Sequence, residues 1–339
     1  MKTKLSKSFF VGMLIVLPIF VAFAVIGIGR YSLTMSQSLE VLYKGLFIGK
    51  DAVDAQSYSV VINMRLPRIL MAIVCGGGLA VAGAALQAMF SNPLVSPDTL
   101  GVGSGASFGA ALALLFGHDL LAMQVSALIF GIMAVSCTYA IGKIKGGGTS
   151  IIMLVLSGMV VSALFQAFVS LIKYVADTEN QLPAITYWLM GPLTSSTFRS
   201  LALGAPPILV SALILFLIRW KINVLSLTED EAKSMGINVS YIRIVIILTT
   251  TMIVASSVSM CGQIGWIGLL IPHVCRMIFG SNNRQVIPAS ISFGMVFMLI
   301  IDTIARAATS AEIPISILTA VIGAPCFIIL LKKTGGSWR

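Results

Sequence analysis

Of 339 residues, 58% are hydrophobic and only 10% charged, and the mean hydropathy of +1.00 lies far outside the range of water-soluble globular chains. This excludes a soluble enzyme domain, and at roughly 20 apolar residues per crossing the length accommodates about ten membrane spans. The net charge of +10 comes from 22 Lys and Arg scattered singly or in pairs at span ends, without the basic stripe or interleaved aromatics of a nucleic-acid surface.

Apolar runs separated by charged or Gly/Pro-rich breaks predict spans at about 9–29, 68–90, 101–116, 120–142, 151–173, 199–219, 241–261, 265–280, 288–308 and 313–332, the third and eighth being short. Lys2, Lys4 and Lys7 precede the first run, which is long enough to cross and lacks a small-x-small cleavage site, so an uncleaved span is expected. The whole chain, 1–339, reads as one transmembrane domain with two longer polar segments, an external loop at 31–64 and an internal segment at 220–240. Ten crossings put both termini on one side. With the N-terminus inside, the inner segments carry 14 of the 22 Lys and Arg, which favours cytoplasmic termini. Two sets of five spans would cross in opposite senses, though no sequence repeat stands out.

The second span opens with Arg65-Leu66-Pro67-Arg68 on the predicted outer side, Pro67 suiting a first helical turn where its missing N–H costs nothing. Arg306, at the outer end of the ninth span, is placed to join them. Three outer guanidiniums are either snorkelling anchors or forks for the carboxylates of a partner protein. Gly76-Gly77-Gly78 and Gly83 in the second span predict close helix packing. In segment 220–240, Thr228-Glu229-Asp230-Glu231-Ala232-Lys233-Ser234-Met235-Gly236 predicts a short capped helix: Thr228 as N-cap, Glu231 closing a capping box, and Gly236 as the stop.

Chemistry inside the spans is sparse. Asp302 is the one clearly intramembrane carboxylate, and Arg306 four residues on predicts a local ion pair. The five cysteines show no metal or disulfide spacing and read as packing residues. His118 falls in a loop, and His273 follows Pro272, where a bond to a freed carbonyl is expected. No phosphate-binding GxxxxGK[ST] loop occurs, so any ATP belongs to another subunit.

Taken together, Arg65-Leu66-Pro67-Arg68, Gly83-x-x-x-Gln87, Asn92-Pro93-Leu94-x-x-Pro97-x-x-Leu100-Gly101, Trp188-Leu189-Met190-Gly191, Ala232-x-x-Met235-Gly236, Gly262-x-Ile264-x-Trp266-Ile267-Gly268-Leu269-x-x-Pro272-His273-x-x-Arg276, Asp302-x-x-Ala305-Arg306, Glu312-Ile313-Pro314 and Gly323-x-Pro325-x-Phe327 resemble, in order, the FecCD-type permeases of type II ABC importers for iron-siderophores, haem and vitamin B12. The resemblance covers roughly 60–332. It implies an all-α polytopic subunit of ten helices, a homodimer in a bacterial or archaeal cytoplasmic membrane, two cytoplasmic ATPase subunits holding ATP and magnesium, and an external substrate-binding protein. It implies no cofactor in this chain. Arg65, Arg68 and Arg306 look like the arginines that meet the binding protein. Glu229, Asp230, Glu231, Ala232, Met235 and Gly236 look like the coupling helix of the ATPase contact, and Thr149 and Ser150 like the cytoplasmic gate. Two positions depart from the family pattern, Pro192 and Ser316, both near the outer mouth. The expected cargo is a bulky iron chelate, siderophore first, then haem or cobalamin. The rival classes are an ion-coupled secondary transporter, which needs carboxylates beyond Asp302, and an intramembrane enzyme, for which no acid pair, metal triad or nucleophile with its base assembles.

Overall fold

The computed structural model describes residues 7–117, 119–143, 151–227, 229–309 and 311–334. In chain order its helices are α1 (Lys7–Ile26), α2 (Met35–Phe47), α3 (Ala55–Tyr58), α4 (Leu66–Met89), α5 (Val102–Leu115), α6 (Leu120–Gly142), α7 (Ile151–Val175), α8 (Gln181–Leu189), α9 (Phe198–Ile222), α10 (Glu229–Ser234), α11 (Val239–Cys261), α12 (Ile267–Phe279), α13 (Asn283–Ala308) and α14 (Ile315–Thr334). Ten of these coincide with the ten expected spans. The short third and eighth spans are α5 and α12, with 14 and 13 residues.

The polar segment 31–64 is more ordered than the sequence indicated. The first turn of α2 is held by a reciprocal cap in which the Gln37 N–H donates to Thr34 Oγ1 and the Thr34 N–H to Gln37 Oε1. From Ala55 the chain runs as one continuous helix to Met89. Pro67 therefore lies a dozen residues inside a helix and not in its first turn. Its ring would clash with the carbonyl four residues back, and the helix accommodates it by widening into π form over Ser59–Arg65, where the Leu66 N–H reaches Val61 O.

Two helices form the centre. The apolar windows of α4 and α11 are 83% and 78% buried, against 28% for α7 and α9, whose outer faces carry exposed Leu, Ile and Val. The helix α4 packs on α11, α12 and α13, while α11 packs on α4, α5 and α6. Exchanging α4–α7 with α11–α14 maps contact onto contact: α4 on α13 becomes α11 on α6, α4 on α12 becomes α11 on α5, and α5 on α6 becomes α12 on α13. Because α11 follows α4 by five crossings, the two sets traverse in opposite senses. The exchange extends to α1 and α9, since α1 on α13 becomes α9 on α6 and α1 on α4 becomes α9 on α11, so each set comprises five helices.

Glycine permits the closest approaches in that centre. A Cβ at Gly76 would overlap the Gly294 carbonyl of α13, and one at Gly83 the Gly268 carbonyl of α12. Lipid gives helices no hydrophobic reason to associate, so such backbone contact supplies the packing energy.

Candidate functional site

Polar side chains concentrate at the two ends of α13. At the end expected to face outward the three arginines of the sequence reading do come together, Arg65 and Arg68 from the continuous helix that ends in α4 and Arg306 from α13. The Arg68 Nε donates to Asp302 Oδ1 at 2.6 Å and its Nη1 to Glu312 Oε2 at 2.7 Å. Arg306 donates from Nη2 to Val25 O at 2.6 Å, with its Nε 3.8 Å from Asp302 Oδ2. Arg65 donates to Ile26 O and Tyr31 O, both at 2.8 Å. These bonds tie the end of α1, the start of α4, the end of α13 and the loop before α14 into one knot.

The structure adds to the sequence reading in two respects. The short bond of Asp302 goes to Arg68, 234 positions away, and the local Arg306 partner is the longer one. All three arginines are also buried, at 6%, 9% and 5% exposure, with internal partners, so none presents an open fork to the exterior in this structure. An unpaired guanidinium at such depth is costly, and the carboxylates and helix-end carbonyls remove that cost. Glu312 is the exposed member, its side chain 26% accessible, and its backbone lies in the left-handed region at φ +52°.

Ser316, one of the two departures from the family pattern, is tied to the turn that carries the other. The Ser316 hydroxyl donates to Met190 O at 2.6 Å, and its N–H reaches the same oxygen, tying the start of α14 to the Met190-Gly191-Pro192 turn after α8.

In the interior, Pro272 of α12 leaves the Gly268 carbonyl without its helical donor. Gln87 of α4 fills the gap, its Nε2 lying 3.2 Å from Leu269 O and 3.5 Å from Gly268 O. His273, expected in that role, instead sets its ring edge-on to Phe327, centroids 5.8 Å apart. The residues capping α5 and α12, Gly101 and Trp266, both have positive φ, +79° and +71°. For Trp266 this conformation is strained by about 1–3 kcal/mol, and Gly323 and Phe327 of α14 hold the indole from one side.

Three features escaped sequence reasoning. Asp98, in the turn before α5, lines a cavity of about 10 Å³ with Ser257, Gln263 and Trp266, and no donor or cation reaches its carboxylate among the described residues. Gln166 and Ser170 lie exposed near the middle and outer half of α7, on a stripe with Ala163 and Ala167. Cys75 of α4 and Cys261 of α11 sit 3.6 Å apart, sulfur to sulfur. Cys275 is likewise buried, whereas Cys137 and Cys326 are exposed and not packing residues as expected. No group of three or more His, Cys, Asp or Glu converges to hold a metal among the described residues.

At the inner end, α10 forms where the acidic pattern placed it. The Ile237 N–H reaches back to Ala232 O at 3.0 Å around Gly236 at φ +72°, the closure that a glycine just past a helix end permits. Ala232 is fully buried, while Glu231, Met235 and Gly236 face outward. Glu229 and Asp230 occupy the first turn. Thr228 with its capping box, Thr149 and Ser150, which the resemblance likens to a gate, and His118 lie outside the described residues.

The sequence profile of the FecCD transport family matches residues 14–333. The chain belongs to the FecCD transport family. Among its relatives, the molybdate import system permease protein MolB of Haemophilus influenzae is 42% identical over 91% of this chain and 90% of its own length. An iron chelatin transport system permease protein of Helicobacter pylori is 34% identical over 94% and 96%. A solved structure titled as an inward-facing metal-chelate type ABC transporter superposes with a TM-score of 0.85 at 40% identity, covering 96% of this chain and 99% of that one. This FecCD chain is thus a multi-pass transport subunit of the ABC permease kind, with its polar chemistry at the two ends of the bundle.

Proposed function

We propose that the chain is the permease of an ATP-driven importer, working as a homodimer with two cytoplasmic ATPase subunits and an external binding protein, with both termini cytoplasmic. The observation that carries this reading is the short helix α10, anchored by Ala232 yet presenting Glu231 and Met235 outward. An exposed lever without a phosphate-binding loop fits a chain moved by another subunit's ATP cycle. The stripe of Gln166 and Ser170 on α7 supports a second copy or a water-filled path on that side, because polar groups at mid-span are costly against lipid. At the outer face, a binding-protein carboxylate would meet Arg68 by displacing Glu312, while Arg65 and Arg306 hold the socket. The gate remains assigned to Thr149 and Ser150.

The cargo inferred from the resemblance, a siderophore with haem or cobalamin behind it, rests on how often the family carries it. The relative at 42% identity imports molybdate, against 34% for the iron chelatin relative. We therefore place a molybdate-like oxyanion first and an iron chelate second. Cysteine placed at Met235 should cross-link to the co-purified ATPase, and the cognate binding protein should bind molybdate in preference to ferric chelates. Absence of the cross-link would refute the lever, and preference for a ferric chelate would reverse the cargo order.

One observation favours the ion-coupled reading. Asp98 is an enclosed carboxylate without a cation partner among the described residues. Uptake driven by an ion gradient and lost in Asp98→Asn would carry that reading.

A further inference from the structure

The helix α9 is followed by its C-cap Asn223, which opens the short 3-10 turn Asn223–Ser226 leading through Leu227 to α10. The Asn223 carboxamide bonds twice to the start of α13. Its Nδ2 donates to Asn282 Oδ1 at 2.9 Å, and its Oδ1 accepts the Asn283 N–H at 2.8 Å. That N–H is among the orphan donors of the first turn of α13, so Asn223 caps a helix that is not its own. Asn282 caps α13 in the ordinary way, its Oδ1 accepting the Arg284 N–H at 3.0 Å. The side chain of Asn283, 5% exposed, then accepts from Arg276 Nη1 at 3.3 Å, and Arg276 Nη2 donates to Ala84 O of α4 at 3.0 Å. The chain of bonds therefore runs from the root of α10 to α13, to the end of α12 and to the central helix α4.

Its chemistry suits a joint. Apart from Arg276 the members are neutral amides, each both donor and acceptor. Asn282 is exposed and Asn223 half-buried, so water can replace a bond released between them. A displacement of α10 reaches Asn223 through five intervening residues, and from there it acts on helices that extend to the opposite face.

We propose that Asn223 is a positioning residue that transmits movement of α10 to α13 and, through Asn283 and Arg276, to α12 and α4. This rests on the reading of α10 as the ATPase contact. The test uses the complete transporter in proteoliposomes, with Asn223→Ala, the conservative Asn282→Asp, and the Met235→Cys cross-link to the ATPase in each background. In Asn223→Ala the ATPase should co-purify and cross-link as before and basal hydrolysis should persist. Stimulation by loaded binding protein and uptake per ATP should both fall at least about fivefold, the low end of measured site-to-site couplings. Asn282→Asp, which keeps the acceptor for both Asn223 and Arg284, should behave as wild type. Unchanged uptake per ATP in Asn223→Ala overturns the relay. So does loss of the ATPase on purification, which would make Asn223 an assembly residue. A wild-type protein that never cross-links at position 235 refutes the α10 reading itself, a failure visible before any Asn223 variant is compared.

Discussion

The two ends of α13 solve opposite problems with opposite chemistry. The outer end gathers Arg65, Arg68 and Arg306 with Asp302 and Glu312 in a nearly dry knot whose shortest bonds are 2.6–2.7 Å. The inner end joins Asn223, Asn282, Asn283 and Arg276 by bonds of 2.8–3.3 Å, partly in reach of water. A buried ion network resists exchange because any half-broken state strands a charge, whereas an amide network at the surface can trade partners with water at little cost. A rod of 26 residues, about 39 Å long at 1.5 Å per residue, thus has one fixed end and one exchangeable end. Movement is expected to originate at the inner end and to be carried outward.

The comparison breaks first at Asp302. Asp302→Ala leaves Arg68 and Arg306 without their shared carboxylate and should cost about 3–5 kcal/mol, seen as a large drop in the thermal midpoint of the detergent-solubilised protein. A drop no larger than that of a surface substitution would mean that the outer knot is not what fixes that end. Next, Ser316→Gly removes the hydroxyl bond to Met190, with an expected loss of about 0.5–1.5 kcal/mol. A hydrogen-exchange comparison should show the gain in exchange confined to the starts of α14 and the turn after α8. At the inner end, Asn282→Ala removes an N-cap worth about 1 kcal/mol. It should lower uptake per ATP far more than it lowers the midpoint, the reverse of Asp302→Ala. The smallest expected effect on stability is that of Glu312→Gln, under about 1 kcal/mol because the pair is partly solvated. Surface plasmon resonance should register tighter capture of the binding protein by this variant, since an incoming carboxylate no longer competes with Glu312 for the Nη1 of Arg68.

The ten spans, the brevity of α5 and α12 and the stop at Gly236 were legible because each depends on a local run of residues. A crossing needs only sustained apolarity, and a helix stop only a residue that tolerates positive φ. The outer grouping of Arg65, Arg68 and Arg306 was likewise foreseeable from span ends. Their burial was not, since the Asp302 partner of Arg68 is 234 positions distant and the i+4 geometry pointed to Arg306. The continuous helix from Ala55 was hidden by Pro67, which reads as a helix start unless the preceding turn widens. Gln87 stands in a motif of the sequence, but nothing local shows that it serves the carbonyl opened by Pro272. Asn223, Asn282 and Asn283 carried no signal at all, because an asparagine at a helix end is ordinarily a cap for its own helix.

The central claim is that the chain moves cargo by being driven from its inner face. ATP-dependent uptake into proteoliposomes, with ion gradients and membrane potential collapsed, tests it most directly. The account predicts molybdate accumulation that requires the ATPase subunits and the loaded binding protein and persists without any gradient. Uptake that continues without ATP and stops when the gradient is removed would contradict it.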